Sequence, residues 1–351
     1  MIRIACLAIV LATFLPHAAR AALVCVDTPA ALATALESAE ANGEDDDIRI
    51  VAGSYALPAT LVHSTHEAFA LVLSGGWNAG CTARGAAFTT LDGGGSHRVL
   101  HVSSDATGDL AITDILFSGG WNDAAIAGGA LAIETSSRDV LIERNVFAGN
   151  EDTHQGGAAR IAVSTSNSLV TVRNNVVLGN SAPEAAGLVI NASIGDAYVV
   201  NNTIVANTTS IAGALCGGLC ISGGSDFTLS NNILWSNPAG DLHIGNTGAA
   251  TLLHNDIGSI GGGSPGPGST GNLDVDPGFA PGLLNLRLAA DSPLVDAGLD
   301  SAPGGVGPFD LGGAVRVQGA HVDIGAYETD DSIFDDGFES SPAEMDDGSL
   351  R

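Results

Sequence analysis

From residue 48 to residue 260 the chain alternates short β-branched and aliphatic runs with turns rich in Gly and Asn. Within the runs apolar residues recur with period two. Leu110/Ile112, Val140/Ile142, Val170/Val172 and Phe227/Leu229 are therefore expected to face a core, and Thr113, Glu143 and Arg173 to face water. The clearest copies span 109–120, 139–150, 169–180, 197–208 and 226–237, with a weaker one at 249–260. A second series lies between them and opens on small residues: Gly128-Gly129-Ala130-Leu131, Gly156-Gly157-Ala158-Ala159, Ala186-Gly187-Leu188-Val189 and Gly217-Gly218-Leu219-Cys220. Two strand signals per lap predict a coil of two or three sheets, with earlier strands at 48–51, 69–73 and 89–91. Self-similarity at this period is the signature of a solenoid.

The turns repeat as closely as the strands. Asn145, Asn175, Asn202, Asn232 and Asn255 follow one another at spacings of 30, 27, 30 and 23 residues, and Asn150, Asn180, Asn207 and Asn237 stand five residues after the first four. Laps stacked at about 4.8 Å would set these amides above one another, so that hydrogen bonds pass from rung to rung. Asparagine also tolerates the left-handed backbone that a sharp corner demands. Each bond contributes about 1 kcal/mol net, a secondary term beside apolar burial.

The ends break the period. Thr28-Pro29 followed by Leu32, Leu36 and Ala39, with Asn42-Gly43 beyond, predicts a capped helix within 22–47 that covers the open end of the coil. Residues 261–270 are a Gly/Pro linker, 271–328 are expected to form a carboxy-terminal cap with short strands at 286–288 and 314–317, and 329–351 read as an acidic disordered tail. Residues 1–21 have the form of a signal peptide: Arg3, an apolar stretch, then Ala19-Arg20-Ala21.

Composition fits this reading, since 47 glycines and 5% aromatic residues suit strands and turns better than helices. The formal charge is −27, there is no lysine, and loss of Arg3 and Arg20 with the leader would take it to −29. Such a field repels nucleic acid and anionic lipid. No later run is long enough to span a membrane as a helix. Of the cysteines, Cys25, Cys81, Cys216 and Cys220 remain after cleavage, an even number that favours disulfides in an exported chain. Cys25 is paired with Cys81. Cys216 and Cys220 flank a Gly-Gly, and a bridge between them depends on whether the segment turns or runs extended.

Several of these motifs resemble known families. GGAL at 128–131 with FAGN at 147–150, and GGAA at 156–159 with VLGN at 177–180, resemble the GGA(I/L/V) and FxxN repeats of polymorphic outer-membrane-protein passengers. Residues 48–260 resemble a bacterial right-handed parallel β-helix of the pectin-lyase-like kind. LDVDPGF at 273–279, LRLAADSPLVDAG at 286–298 and GAHVDIGAYE at 319–328 resemble the choice-of-anchor Q domain, and SIFDDGFES at 332–340 is similar to a short sorting tail of exported gammaproteobacterial proteins. The resemblance implies an all-β right-handed parallel β-helix, exported and secreted or held at the cell surface or outer membrane of a bacterium.

Catalytic residues do not emerge from the sequence. Lyases on the resembled fold hold calcium on aspartates and abstract a proton with arginine or lysine; the pieces here are Asp123, Glu151, Asp152, His154 and Glu184, with Arg144, Arg160 and Arg173 near them in sequence. Solvated turn polarity is the simpler reading of that set. Asp114 is the sole acid in its column, so a hydrolase carboxylate pair is not expected there. His63 and His66 could be metal ligands by spacing but lack a third partner in sequence and read as surface loop histidines, and Asp274 and Asp276 read as turn caps, although the aspartates could take Ca²⁺. Trp77, Trp121 and Trp235 are either a sugar platform or core, and Asn191, Asn201 and Asn207 fit the glycosylation sequon. No cofactor or metal site is assigned. The sequence thus predicts a monomeric, non-enzymatic exported scaffold that contacts a polysaccharide or another cell-surface ligand, with a polysaccharide lyase or glycoside hydrolase as the alternative.

Overall fold

A computed structural model describes residues 21–85, 87–282 and 285–329. The expected signal peptide, but for Ala21, and the acidic tail with its SIFDDGFES segment, but for Thr329, lie outside the described residues. From Ala22 to Gly262 the described residues wind into a solenoid whose four sheets are parallel throughout. Sheet I has nine strands, from Ala22–Val26 to Ala250–Leu253. Sheet II has eight, from Gly53–Ala56 to Asp256–Ile257, and sheet III eight, from Leu61–Thr65 to Ile260–Gly262. A fourth sheet of two-residue strands, Trp121–Asn122 to Thr208–Thr209, bridges II and III over four laps.

Register is what turns the sequence period into a core. Val140 lies beside Leu110 and Val170, and Ile142 beside Ile112 and Val172, all buried. In sheet II Phe117 and Phe147 stack inside with ring centroids 4.9 Å apart, and Val177, Ile204 and Leu234 continue the column. Sheet III begins at glycines for a steric reason. A Cβ on Gly157 would sit 2.3 Å from the Ser181 carbonyl, and Gly129, Gly187 and Gly218 are equally tight against the next lap.

The first corner carries the asparagine column. The Oδ1 of Asn175 accepts both the backbone N–H of Asn145 (2.9 Å) and its Nδ2 (3.2 Å), and the same pair of bonds joins Asn175 to Asn202, Asn202 to Asn232 and Asn232 to Asn255. Asn272 extends the column by one rung. All five repeat asparagines are fully buried, where an unpaired amide would be costly. The second column runs Asn150, Asn180, Asn207, Asn237 and ends on Asp241. The left-handed residue is not the ladder asparagine, as expected from its tolerance of that conformation, but its predecessor: Asp114, Arg144, Asn174, Asn201, Asn231 and His254 have φ between 51° and 61°. The corner thus turns on one residue and is pinned by the next.

Helix Pro29–Ser38 starts where expected, with Thr28 Oγ1 accepting the Ala31 N–H at 3.2 Å, and buries Leu32, Ala35 and Leu36 over the first laps. It ends at Ala39, short of Asn42-Gly43. The segment expected to be helical cap also supplies a strand, Ala22–Val26, so sheet I begins 24 residues before its Asp46 partner. Cys25 joins Cys81, and Cys216 joins Cys220, whose Cα atoms are 6.3 Å apart because the intervening Gly-Gly turns into sheet III.

The expected carboxy-terminal cap is placed differently. Residues 266–273 do add a last partial lap, bonding to Ala250, Leu252 and Asn255. Beyond it the chain runs back along the flank as a strap: Gly325 N–H bonds to Asn231, Asn174 Nδ2 to Val306, and Arg173 reaches Gly304. The strap covers the outer face of sheet II, where Val176, Val205 and Ile233 pack against Leu288, Leu294, Leu311 and Ile324. The strands expected at 286–288 and 314–317 are only isolated antiparallel bridges, Phe279 to Leu288 and Phe309 to Val315. Thr113 and Glu143, expected in water, are buried at the corner; Arg173 is half-buried, its guanidinium held by Glu143 and the strap.

Candidate ligand-binding cleft

At the corner between sheets I and II, the last residue of each sheet I strand and the left-handed residue after it point outward. On three successive laps those positions hold Thr113-Asp114, Glu143-Arg144 and Arg173-Asn174. Stacking therefore assembles an ion-pair row that spacing alone separates by 30 residues. Arg144 donates to both oxygens of Asp114 at 2.8 Å, and Arg173 Nε donates to Glu143 at 2.9 Å. Arg84, from the loop after Trp77, joins from the side, bonding Asp114 and, at 3.2 Å, Thr113 Oγ1. Burial lowers the Arg84 pKa, whereas for Arg144 burial is outweighed by the bonded Asp114 and its pKa is raised.

This row forms one wall of a cleft of about 470 Å³ whose other wall is the far end of the strap. Phe88, Phe309 and Leu311 supply apolar surface, Gly75, Gly76, Gly312 and Gly313 supply backbone, and Arg84, Asp114 and Arg144 supply charge. Trp77 lies beside it with Arg49 4.2 Å and Arg84 5.0 Å from its ring centroid. Held bidentately by one guanidinium and bonded by a second, Asp114 is an ion-pair acceptor rather than a free base.

Most other residues singled out in the sequence have structural partners. Asp152 is buried and accepts from Gly128, His154 and Gln155 N–H groups and from Asn122, so it holds a loop; Glu184 bonds Gln155, and Arg160 pairs with Glu134. Asp123 and Glu151 are exposed. His63, expected on the surface, is buried at 3% exposure because the helix lies on its strand, and its Nδ1 is 3.2 Å from the Leu36 carbonyl. His66 is exposed and bonds Asp105. Asp276 accepts from Gly278 N–H as a turn cap, and Trp235 packs against the strap. Asn201 and Asn207 are buried, and Asn191 is half-buried.

A second concavity lies at the corner between sheets III and I. Ser64, Ser103, Ser104, Thr135, Ser136 and Ser164 line it over four laps, with Ser64 Oγ 3.0 Å from Ser103 Oγ and Ser136 Oγ 3.2 Å from Ser164 Oγ, and His66, Asp105 and Glu134 stand at its edge. Its volume is about 420 Å³ and it is open to solvent. Neither this hydroxyl row nor Arg84 was singled out from the sequence. The row had a legible signal, the Ser/Thr clusters at 64–65, 103–104, 135–137 and 164–166 that recur at the lap period.

Residues 100–257 match the family model described as a right handed beta helix region. The fold is a right-handed parallel β-helix. The matched stretch of the β-helix contains both asparagine columns apart from Asn272, and the four-stranded sheet that bridges sheets II and III. No curated protein and no solved structure matches the chain significantly. Among the described residues no group of three or more His, Cys, Asp and Glu side chains is arranged to hold a metal ion, and no helix is long and apolar enough to cross a membrane.

Proposed function

We propose that this β-helix is an exported, non-enzymatic scaffold that contacts a neutral polysaccharide or matrix glycan along its side. The observation that carries the reading is the hydroxyl row at the III–I corner. Oxygen donors and acceptors repeated at about 4.8 Å along that edge suit many weak hydrogen bonds to a chain of sugar hydroxyls. A chain with 39 acids against 12 arginines adds no attraction for a polyanion. Export is supported by the signal-like residues 1–21 and by two disulfides, and the resemblance of 271–328 to the choice-of-anchor Q domain fits a bacterial cell-surface or secreted location.

Glycan-array binding with the mature chain tests this. The expected result is binding to neutral glycans that is lost when Ser103→Arg and Ser136→Arg are introduced together, with unchanged melting. Binding that survives those changes would contradict the assignment. A second reading, polysaccharide lyase or glycoside hydrolase, is favoured by one observation: Asp114, Glu143 and three arginines meet on adjacent laps beside a cleft. Release of reducing ends or unsaturated products from a polysaccharide panel, with and without Ca²⁺, would establish it in place of the first.

A further inference from the structure

We propose that the cleft with Arg84 and Phe88 on one side and the strap on the other binds a small amphipathic carboxylate, one anionic group carried on an apolar ring. It shares no residue with the hydroxyl row. Three observations converge on this class of ligand. Charge comes first: in a chain of formal charge −27, the charged side chains lining the cleft are Arg84 and Arg144 against Asp114, a local excess of one cation, while behind them Glu143 is paired with Arg173 and Asp310 with Arg287. Asp310 faces away from the opening, since its oxygens accept from the Ala314 and Glu328 N–H groups. A monoanion therefore balances the wall, and a dianion would overcompensate it.

The second observation is donor availability. An arginine has five N–H donors in a planar fork. Arg84 commits two bonds, to Asp114 and Thr113, and its side chain remains 34% exposed at the cleft. Asp114 and the neighbouring Trp77 ring hold the guanidinium in place, so a carboxylate meets a fork whose orientation is already fixed.

The third is shape and polarity. Phe88, Phe309 and Leu311 offer apolar contact, and Phe309 is 46% exposed although it lies next to the charged row. A volume of about 470 Å³ is within the range of small-molecule sites and holds a single ring with a short acidic arm. The strap closes one side, which separates this site from the open groove expected of a polymer. No bond is made or broken; the site binds.

Cinnamate is the probe, titrated calorimetrically into the full mature chain, with cinnamyl alcohol and acetate as the uncharged and ringless comparisons. Saturable cinnamate binding is expected, at least about tenfold tighter than either comparison, and weakened about tenfold or more by Arg84→Gln and by Phe309→Ser. Phe309→Ser is included because an exposed strap residue can be changed without disturbing the ion-pair row, should Arg84→Gln lower the melting temperature. Absence of saturation by cinnamate, equal affinity for cinnamyl alcohol, or unchanged affinity in the Phe309→Ser protein would each overturn the proposal.

Discussion

At the scale of single residues the corners decide stability. Asn175 receives two bonds from Asn145 and gives two to Asn202, and its Nδ2 also reaches the Ile142 carbonyl at 2.9 Å. Asn175→Ala leaves several buried backbone groups without partners, so it should destabilise by about 2–4 kcal/mol in chemical denaturation, while Ser136→Ala on the open corner should cost under about 0.5 kcal/mol. Asp256 makes the opposite case. Its Oδ1 accepts from Val275 at 3.0 Å, but Oδ2 is buried without a partner, and burial raises its pKa to about 6. A folded-state pKa above the unfolded one means stability present at low pH is lost as pH rises from about 4 through 6. Asp256→Asn should therefore stabilise the protein by about 2–3 kcal/mol at pH 7 and leave it nearly unchanged near pH 4, as read from melting curves at the two values. Glu328 follows the same sign, pushed to about 8 by burial although Arg316 at 3.5 Å draws it down.

At the scale of elements, the period-two runs and the asparagine spacing made the laps of sheets I to III legible, because each is a local pattern repeated at a fixed interval. What escaped was a consequence of packing between distant segments. Val146-Phe147-Ala148, Val176-Val177-Leu178 and Ile233-Leu234-Trp235 are continuous apolar triplets without alternation, the mark of a strand covered on both faces. That signal already called for a cover over sheet II, and the strap is that cover. The arginine row was unreadable for a related reason: Glu143 and Arg173 look solvated until residues 304–309 are laid over them. The tight column of glycines gives an element-scale test. Gly157→Ala would place a methyl group 2.3 Å from a carbonyl oxygen of the next lap, so a loss of about 1–3 kcal/mol is expected in denaturant titration, against little change for Gly149→Ala beyond its left-handed backbone cost of about 1 kcal/mol.

For the whole molecule, the linkages between distant parts are the Cys25–Cys81 disulfide and the strap, while the second disulfide is local. Cys25–Cys81 closes a 56-residue separation and Cys216–Cys220 one of four. In the chain-entropy account the first stabilises by about 4 kcal/mol and the second by about 2, so Cys25→Ser with Cys81→Ser should lower the melting temperature more than Cys216→Ser with Cys220→Ser. The architecture itself rests on successive laps lying in register. Ser103 and Glu134 are outward-facing neighbours on adjacent strands of sheet III, whereas Ser64 and Glu134 are two laps apart. Mapping disulfides in unreduced digests after mild oxidation measures this directly. Ser103→Cys with Glu134→Cys is expected to cross-link within the chain and Ser64→Cys with Glu134→Cys is not; failure of the first pair, or equal bonding in both, would contradict the stacked solenoid.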